Sequence, residues 1–127
     1  MQASTYLKDC IVKVWPATYA VVRTTTIPED FVAVLKDYQE TTVILDEVRL
    51  SGLSYEKAEK NWKILSFETV LPFELVGFLA AVATVLATEK ISIFALSAYS
   101  TDHIMVKADK LEQTQKALEK LGCIWKE

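Results

Sequence analysis

A pattern recurs within this chain at an offset of 61 residues. Val34-Leu35 is followed by Tyr38 and then by Val43-Ile44-Leu45; Ala95-Leu96 is followed by Tyr99 and then by Ile104-Met105-Val106. Each copy reads as two apolar strands separated by a short polar turn, a β-hairpin. Self-similarity at about half the length of a 127-residue chain points to two copies of a strand-helix-strand-strand-helix unit. A unit of about 60 residues buries only about 60% of the surface its unfolded chain exposes, so the two are expected to fuse into one body.

The segments around the hairpins fit that frame. Cys10–Trp15, bounded by Pro16, and Tyr19–Thr25 are rich in β-branched residues and read as strands. Phe31–Lys36 and Thr41–Asp46 flank the turn Asp37-Tyr38-Gln39-Glu40. Ile27-Pro28-Glu29-Asp30 can start a helical turn but has little room to extend. Ser54 reads as the N-cap of a short helix over Tyr55–Asn61, and Trp62–Val70 as a strand. Leu75, Phe78, Leu79, Val82, Val85 and Leu86 then recur at helical spacing, while Val76, Ala80, Ala83 and Ala87 make the other side small and apolar. Such a helix is expected to be covered on both sides. Its uncharged run, Leu75–Thr88, is fourteen residues long, short of the roughly 20 that a bilayer requires. Ile91–Leu96 and His103–Val106 form the second hairpin. Asp109-Lys110-Leu111-Glu112 reads as a capping box, opening a helix that Gly122 ends, and Cys123-Ile124-Trp125 is a final short strand.

Composition excludes several functions. Half of the chain is hydrophobic (51%) and 24% is charged, enough apolar material for a core. The net charge is −3, with 14 Lys and Arg against 17 Asp and Glu and no basic run, so a nucleic-acid partner is not expected. Three glycines leave no glycine-rich phosphate loop. One histidine and two distant cysteines leave no zinc or catalytic centre, so neither a metal, a cofactor nor an enzymatic activity is expected. His103 reads as a plain strand residue. Cys10 and Cys123 read as small apolar core residues of a reduced, cytoplasmic protein. Lys8 and Asp9 interrupt any signal-peptide pattern. Trp15, Trp62 and Trp125 are expected between layers.

The second half resembles an ACT domain. The stretches that carry the resemblance are Leu71-Pro72-Phe73-Glu74-Leu75-Val76-Gly77-Phe78-Leu79, then Leu86-Ala87, then Ile91–Ser97, then Thr101–Lys107. They are similar to small bacterial tandem-ACT proteins related to the CASTOR family of cytosolic arginine sensors. Tyr19–Arg23 and Glu40–Leu45 fit the first unit of that family more loosely. The sequence departs from the family pattern in the second hairpin turn, where Ala98, Ser100 and His103 replace Thr, Asp and Tyr. The resemblance implies an α+β fold of two ferredoxin-like βαββαβ units packed into one body, with antiparallel sheets and helices on one face. Residues 1–61 would be a first ACT-like unit with a short, degenerate first helix, and residues 62–127 the second ACT domain. It also implies a non-enzymatic regulatory protein that binds an amino acid where ACT units meet, including a homodimer through the second ACT domain. The alternative is a ligand-free module for protein interaction or dimerisation.

The expected binding residues are Phe73, Glu74, Val76 and Gly77 at the helix start and Ser100, Thr101 and Asp102 at the hairpin turn. A helix opening near Phe73 presents unpaired backbone N–H groups and the positive end of its dipole, which suit a carboxylate. Gly77, lacking a side chain, lets a ligand approach closely, or only relieves helix-on-sheet crowding. Asp102 is placed to pair with an α-ammonium, or only caps its turn. Glu74 either shares that role or is a solvated acid that favours the dipole. Ser100 and Thr101 are turn residues unless the loop lines a pocket.

Overall fold

The computed structural model describes residues 10–68 and 77–127. The described residues form a mixed α+β fold of eight strands and two α-helices. The strands are β1 (Ile11–Val14), β2 (Tyr19–Arg23), β3 (Ala33–Lys36), β4 (Thr41–Asp46), β5 (Lys57–Phe67), β6 (Phe94–Ser97), β7 (Asp102–Lys107) and β8 (Ile124–Lys126). The helices are α1 (Phe78–Thr88) and α2 (Leu111–Lys120), with 3-10 turns at Glu47–Gly52 and Ala108–Lys110. They group into two compact units, a smaller one of residues 17–62 and a larger one of residues 1–16 and 63–127.

In the smaller unit the hydrogen-bonded order is β3–β4–β2–β5. In chain order these strands are the second, third, first and fourth of the unit, and every pairing is antiparallel. Strand alternation turns Ala20, Val22, Val43 and Leu45 to one face, where Leu50 of the 3-10 turn completes a small core. That turn is capped by Asp46, whose carboxylate accepts from the Val48 N–H at 3.1 Å. Asn61 makes a bulge in β5: Tyr19 faces Trp62 but Val21 faces Glu59, so β5 carries one extra residue. Asn61 takes φ 67 there, and its N–H donates to Glu47 Oε2 at 2.9 Å. The inserted residue resets the alternation, so that Glu59 and Trp62 fall on one face although one is odd and the other even.

The larger unit is built on the second half of β5. β1 pairs with it antiparallel (Val12 with Phe67, Val14 with Leu65) and pairs with β8 in parallel (Ile11 with Ile124). On its other side β5 meets β7, which pairs with β6. Val12, Val14, Leu65, Phe67, Ile104 and Val106 present one face to Phe78, Val82 and Leu86 of α1 and to Ala117 and Leu118 of α2. The Phe67 and Phe78 rings meet edge to face, with centroids 5.1 Å apart. Each such side chain, fully buried, contributes about 1.5–3 kcal/mol. Both helices end the same way. Lys90 N–H donates to the Ala87 carbonyl and Ile91 N–H to that of Leu86; Gly122 N–H donates to Glu119 and Cys123 N–H to Leu118. This is the Schellman closure, which needs a left-handed residue; Gly122 (φ 99) and Lys90 (φ 61) supply it.

The 61-residue recurrence persists in the backbone. Ala33 pairs with Ile44 and Lys36 with Thr41; Phe94 pairs with Met105 and Ser97 with Asp102. The turns close alike, with Asp37 N–H on the Glu40 carbonyl at 3.0 Å and Ala98 N–H on that of Thr101 at 2.9 Å. A 3-10 turn follows each hairpin directly.

Four local expectations are corrected. Tyr55–Asn61 is not a helix: β5 begins at Lys57, because Lys57, Ala58 and Glu59 pair with Arg23, Val22 and Val21, and cross-strand pairing outweighs weak helix propensity. Ser54 does not cap a helix; its carbonyl accepts from Thr24 Oγ1 at 2.6 Å. Ile27–Asp30 forms no helical turn, and Asp30 instead pairs with Arg49 at 2.7 Å. Asp109 makes no capping box, because it lies inside the 3-10 turn that runs straight into α2.

Two larger expectations also change. The sheets are not wholly antiparallel, since β1 and β8 run in parallel. Ile11–Val14 does not belong with the first half of the chain: its pairing partners are residues 65–67 and 124–126, so it joins the larger unit.

Candidate functional site

Asp102 opens β7 and pairs with Ser97, the last residue of β6. Its Oδ1 accepts from Ser97 Oγ at 2.7 Å, which orients the carboxylate. Ser100 is exposed at the tip of the intervening turn, and the Thr101 carbonyl closes that turn. Ser100, Thr101 and Asp102 therefore come together on one hairpin. Gly77 is the N-cap residue of α1, at φ 90 and ψ 2, and no side chain caps that helix. Its carbonyl accepts from the Ala81 N–H at 2.9 Å. Among the described residues, the first turn of α1 holds no acidic side chain to answer the positive end of the dipole. Phe73, Glu74 and Val76 lie outside the described residues, as does the part of the expected helix before Gly77.

The C-terminal end of β5 ties the helix start to the hairpin. Phe67, its last residue, packs its ring on Phe78, the first residue of α1. Ser66, one residue earlier and on the opposite face, lies 2.6 Å through its Oγ from Nδ1 of His103, the neighbour of Asp102. The N-terminus of α1 and Asp102 thus stand at the same end of β5.

His103 is not a plain strand residue. Trp15 Nε1 donates to Ser66 Oγ at 2.6 Å. The Trp15 and His103 rings meet edge-on, with centroids 6.0 Å apart at 81°. On the far side His103 Nε2 lies 3.4 Å from Thr101 Oγ1. Burial holds the His103 pKa below its ordinary 6.5, against a smaller opposing pull from Asp102. Sequence reasoning missed this chain of contacts. Its one local signal was a hydroxyl residue, Ser66, inside the apolar run Ile64-Leu65-Ser66-Phe67, since a buried hydroxyl needs a partner. Nothing local named Trp15 or His103 as that partner.

Among the described residues, no three His, Cys, Asp or Glu side chains group as metal ligands, and no helix is long and apolar enough to cross a membrane.

The pattern of a known family falls on these elements. An ACT domain matches residues 57–120, half of the chain. It begins with the first residue of β5 and closes with the last residue of α2. The chain belongs to the ACT-domain family. Within this ACT domain lie β5, α1, β6, β7 and α2, and so Gly77 and the Ser97–Asp102 pair. Solved structures share the fold across nearly the whole chain. One, from Agobacterium tumefaciens, matches with a TM-score of 0.80 and 21% identity, covering 94% of this chain and 95% of its own. A Vibrio cholerae protein of unknown function matches at 0.73 and 23%, covering 91% and 92%. The ligand-free regulatory subunit of aspartate kinase from Thermus thermophilus matches at 0.62 and 12%, covering 87% and 95%. No curated protein matches the sequence.

Proposed function

We propose that this ACT-domain protein is a non-enzymatic regulator that binds an amino acid, as the CASTOR-related proteins its sequence resembles do, and that it works in the cytoplasm. The α-ammonium pairs with Asp102, and the carboxylate lies on the backbone N–H groups at the start of α1. Phe73, Glu74, Val76, Gly77, Ser100 and Thr101 complete the site, where this ACT domain meets that of a second copy. The observation that carries this reading is the position of two opposite polarities at one end of β5: an oriented carboxylate, held by Ser97, and the start of α1, whose described first turn carries no acidic side chain. A zwitterion needs both. The aspartate-kinase regulatory subunit, similar in fold, supports a regulatory role. The order β3–β4–β2–β5 of the smaller unit is that of a ferredoxin-like sheet, and β6–β7–β5 repeats its first three places, with β1 lying between β5 and β8 in the larger unit. Ligand binding would favour one pairing of ACT domains over another, and that shift is the signal.

A second reading is a ligand-free dimerisation or interaction module. The departures at Ala98, Ser100 and His103 favour it, since the His103 ring is already engaged by Ser66. Calorimetry and thermal-shift measurements with each of the twenty amino acids separate the two. Binding in the micromolar-to-millimolar range, about −8 to −4 kcal/mol, is the expected outcome for at least one. Silence in both assays, with nothing found by mass spectrometry of natively purified protein, leaves only the module.

A further inference from the structure

The chain has two cysteines, one near each end, and the fold sets them side by side. Ile11 and Ile124 are partners in the parallel β1–β8 pair. The Ile124 N–H donates to the Cys10 carbonyl at 2.7 Å, so the residues that precede the pair, Cys10 and Cys123, are neighbours as well. Both are buried, at 1% and 6% exposure, in the cluster beneath α1 and α2. The Cys10 side chain lies close enough to Cys123 to act on its thiol. Neighbouring strands run about 5 Å apart, inside the roughly 4.4–6.8 Å that the Cα atoms of a disulfide span.

We propose that Cys10 and Cys123 are the site of a reversible disulfide that staples the beginning of β1 to the beginning of β8. The oxidant is a low-molecular-weight disulfide such as oxidised glutathione. One protein thiolate attacks a glutathione sulfur, the glutathione S–S bond breaks, and the first glutathione leaves as a thiolate that takes up a proton. The second protein thiolate then attacks the protein sulfur of the mixed disulfide, forms the Cys10–Cys123 bond and releases the second glutathione. Two protein thiols are oxidised, one glutathione disulfide is reduced to two thiols, and the protein's two thiol protons end on glutathione.

The reaction is gated by the sheet edge. In the folded protein the contact with Cys10 and burial both push the Cys123 thiol up, and a protonated thiol is a poor nucleophile. β8 is a three-residue strand at the edge of the sheet, and Ile124 is 48% exposed. Short edge elements open at low free-energy cost, so exchange starts from the frayed edge. The bond, once formed, prevents that fraying.

The test incubates the full chain with oxidised glutathione at mildly alkaline pH, without urea and with urea below the unfolding transition. Thiols are then counted after denaturation, and the intact monomer is weighed without reduction. The expected result is loss of both thiols, a monomer lighter by two hydrogens, and a Cys10–Cys123 cross-linked peptide. Formation is faster in low urea, and the urea midpoint rises and returns on reduction. Cys10→Ala and Cys123→Ala each give a glutathione adduct with no cross-link and no rise in midpoint. Persistence of both thiols in low urea overturns the proposal, as does a product of glutathione adducts or intermolecular dimers alone.

Discussion

Ser66 Oγ lies 2.6 Å from His103 Nδ1, and this contact joins the strand that leads to α1 to the strand that opens with Asp102. The Trp15 indole is a donor only, so Ser66 accepts from it. With His103 neutral and protonated on Nε2, the Ser66 hydroxyl donates to Nδ1 and the Nε2–H faces Thr101 Oγ1. The residue that follows β1 and the strands β5 and β7 are linked through one hydroxyl.

Removing that hydroxyl tests the link. Ser66→Ala leaves the Trp15 N–H and the His103 Nδ1 without their shared partner, and is expected to cost about 1–3 kcal/mol. Urea unfolding with an unchanged slope measures it. A loss under about 0.5 kcal/mol, the range of an ordinary surface change, means the contact adds nothing to stability.

Acidification should weaken the fold through His103. Its pKa is lowered in the folded state, chiefly by burial, so between that lowered value and 6.5 the unfolded chain binds more protons. The contribution to stability is full above 6.5 and is lost as pH falls through this window. Urea midpoints measured between about pH 5 and pH 8 should slope upward in the native chain and less so in His103→Gln. Equal slopes in both proteins would show that another group carries the effect.

Lys90 closes the Schellman motif of α1 with φ 61, a conformation that costs a side-chain-bearing residue about 1–2 kcal/mol. Lys90→Gly should therefore stabilise the protein by about 0.5–1 kcal/mol, the remainder being offset by the freedom glycine gains in the unfolded chain. Chemical denaturation reads this directly, and a destabilised variant would mean that the lysine side chain makes a compensating contact.

Asp102→Asn preserves the shape of the side chain and an oxygen to accept from Ser97 while removing the charge. The fold should change by no more than about 0.5 kcal/mol. The thermal shift produced by the amino acid that the native chain binds should disappear. A variant that keeps the full shift removes Asp102 from the proposed site.

Much of the local structure is legible from residue order alone. The runs Val43-Ile44-Leu45 and Ile104-Met105-Val106 announce buried strands, their spacing from Tyr38 and Tyr99 announces two like hairpins, and the apolar spacing through Leu86 announces α1. These signals survive because side-chain period reports which face is buried, and it does so within a few residues. Pairing is a different kind of fact. That Lys57–Asn61 extends as a strand against β2, that Ile11–Val14 lies between β5 and β8, that Ser66 finds both Trp15 and His103, and that Cys10 reaches Cys123 were decided only by tertiary structure. Each depends on segments roughly 35 to 115 residues apart, and nothing in the local period of a strand names the strand beside it.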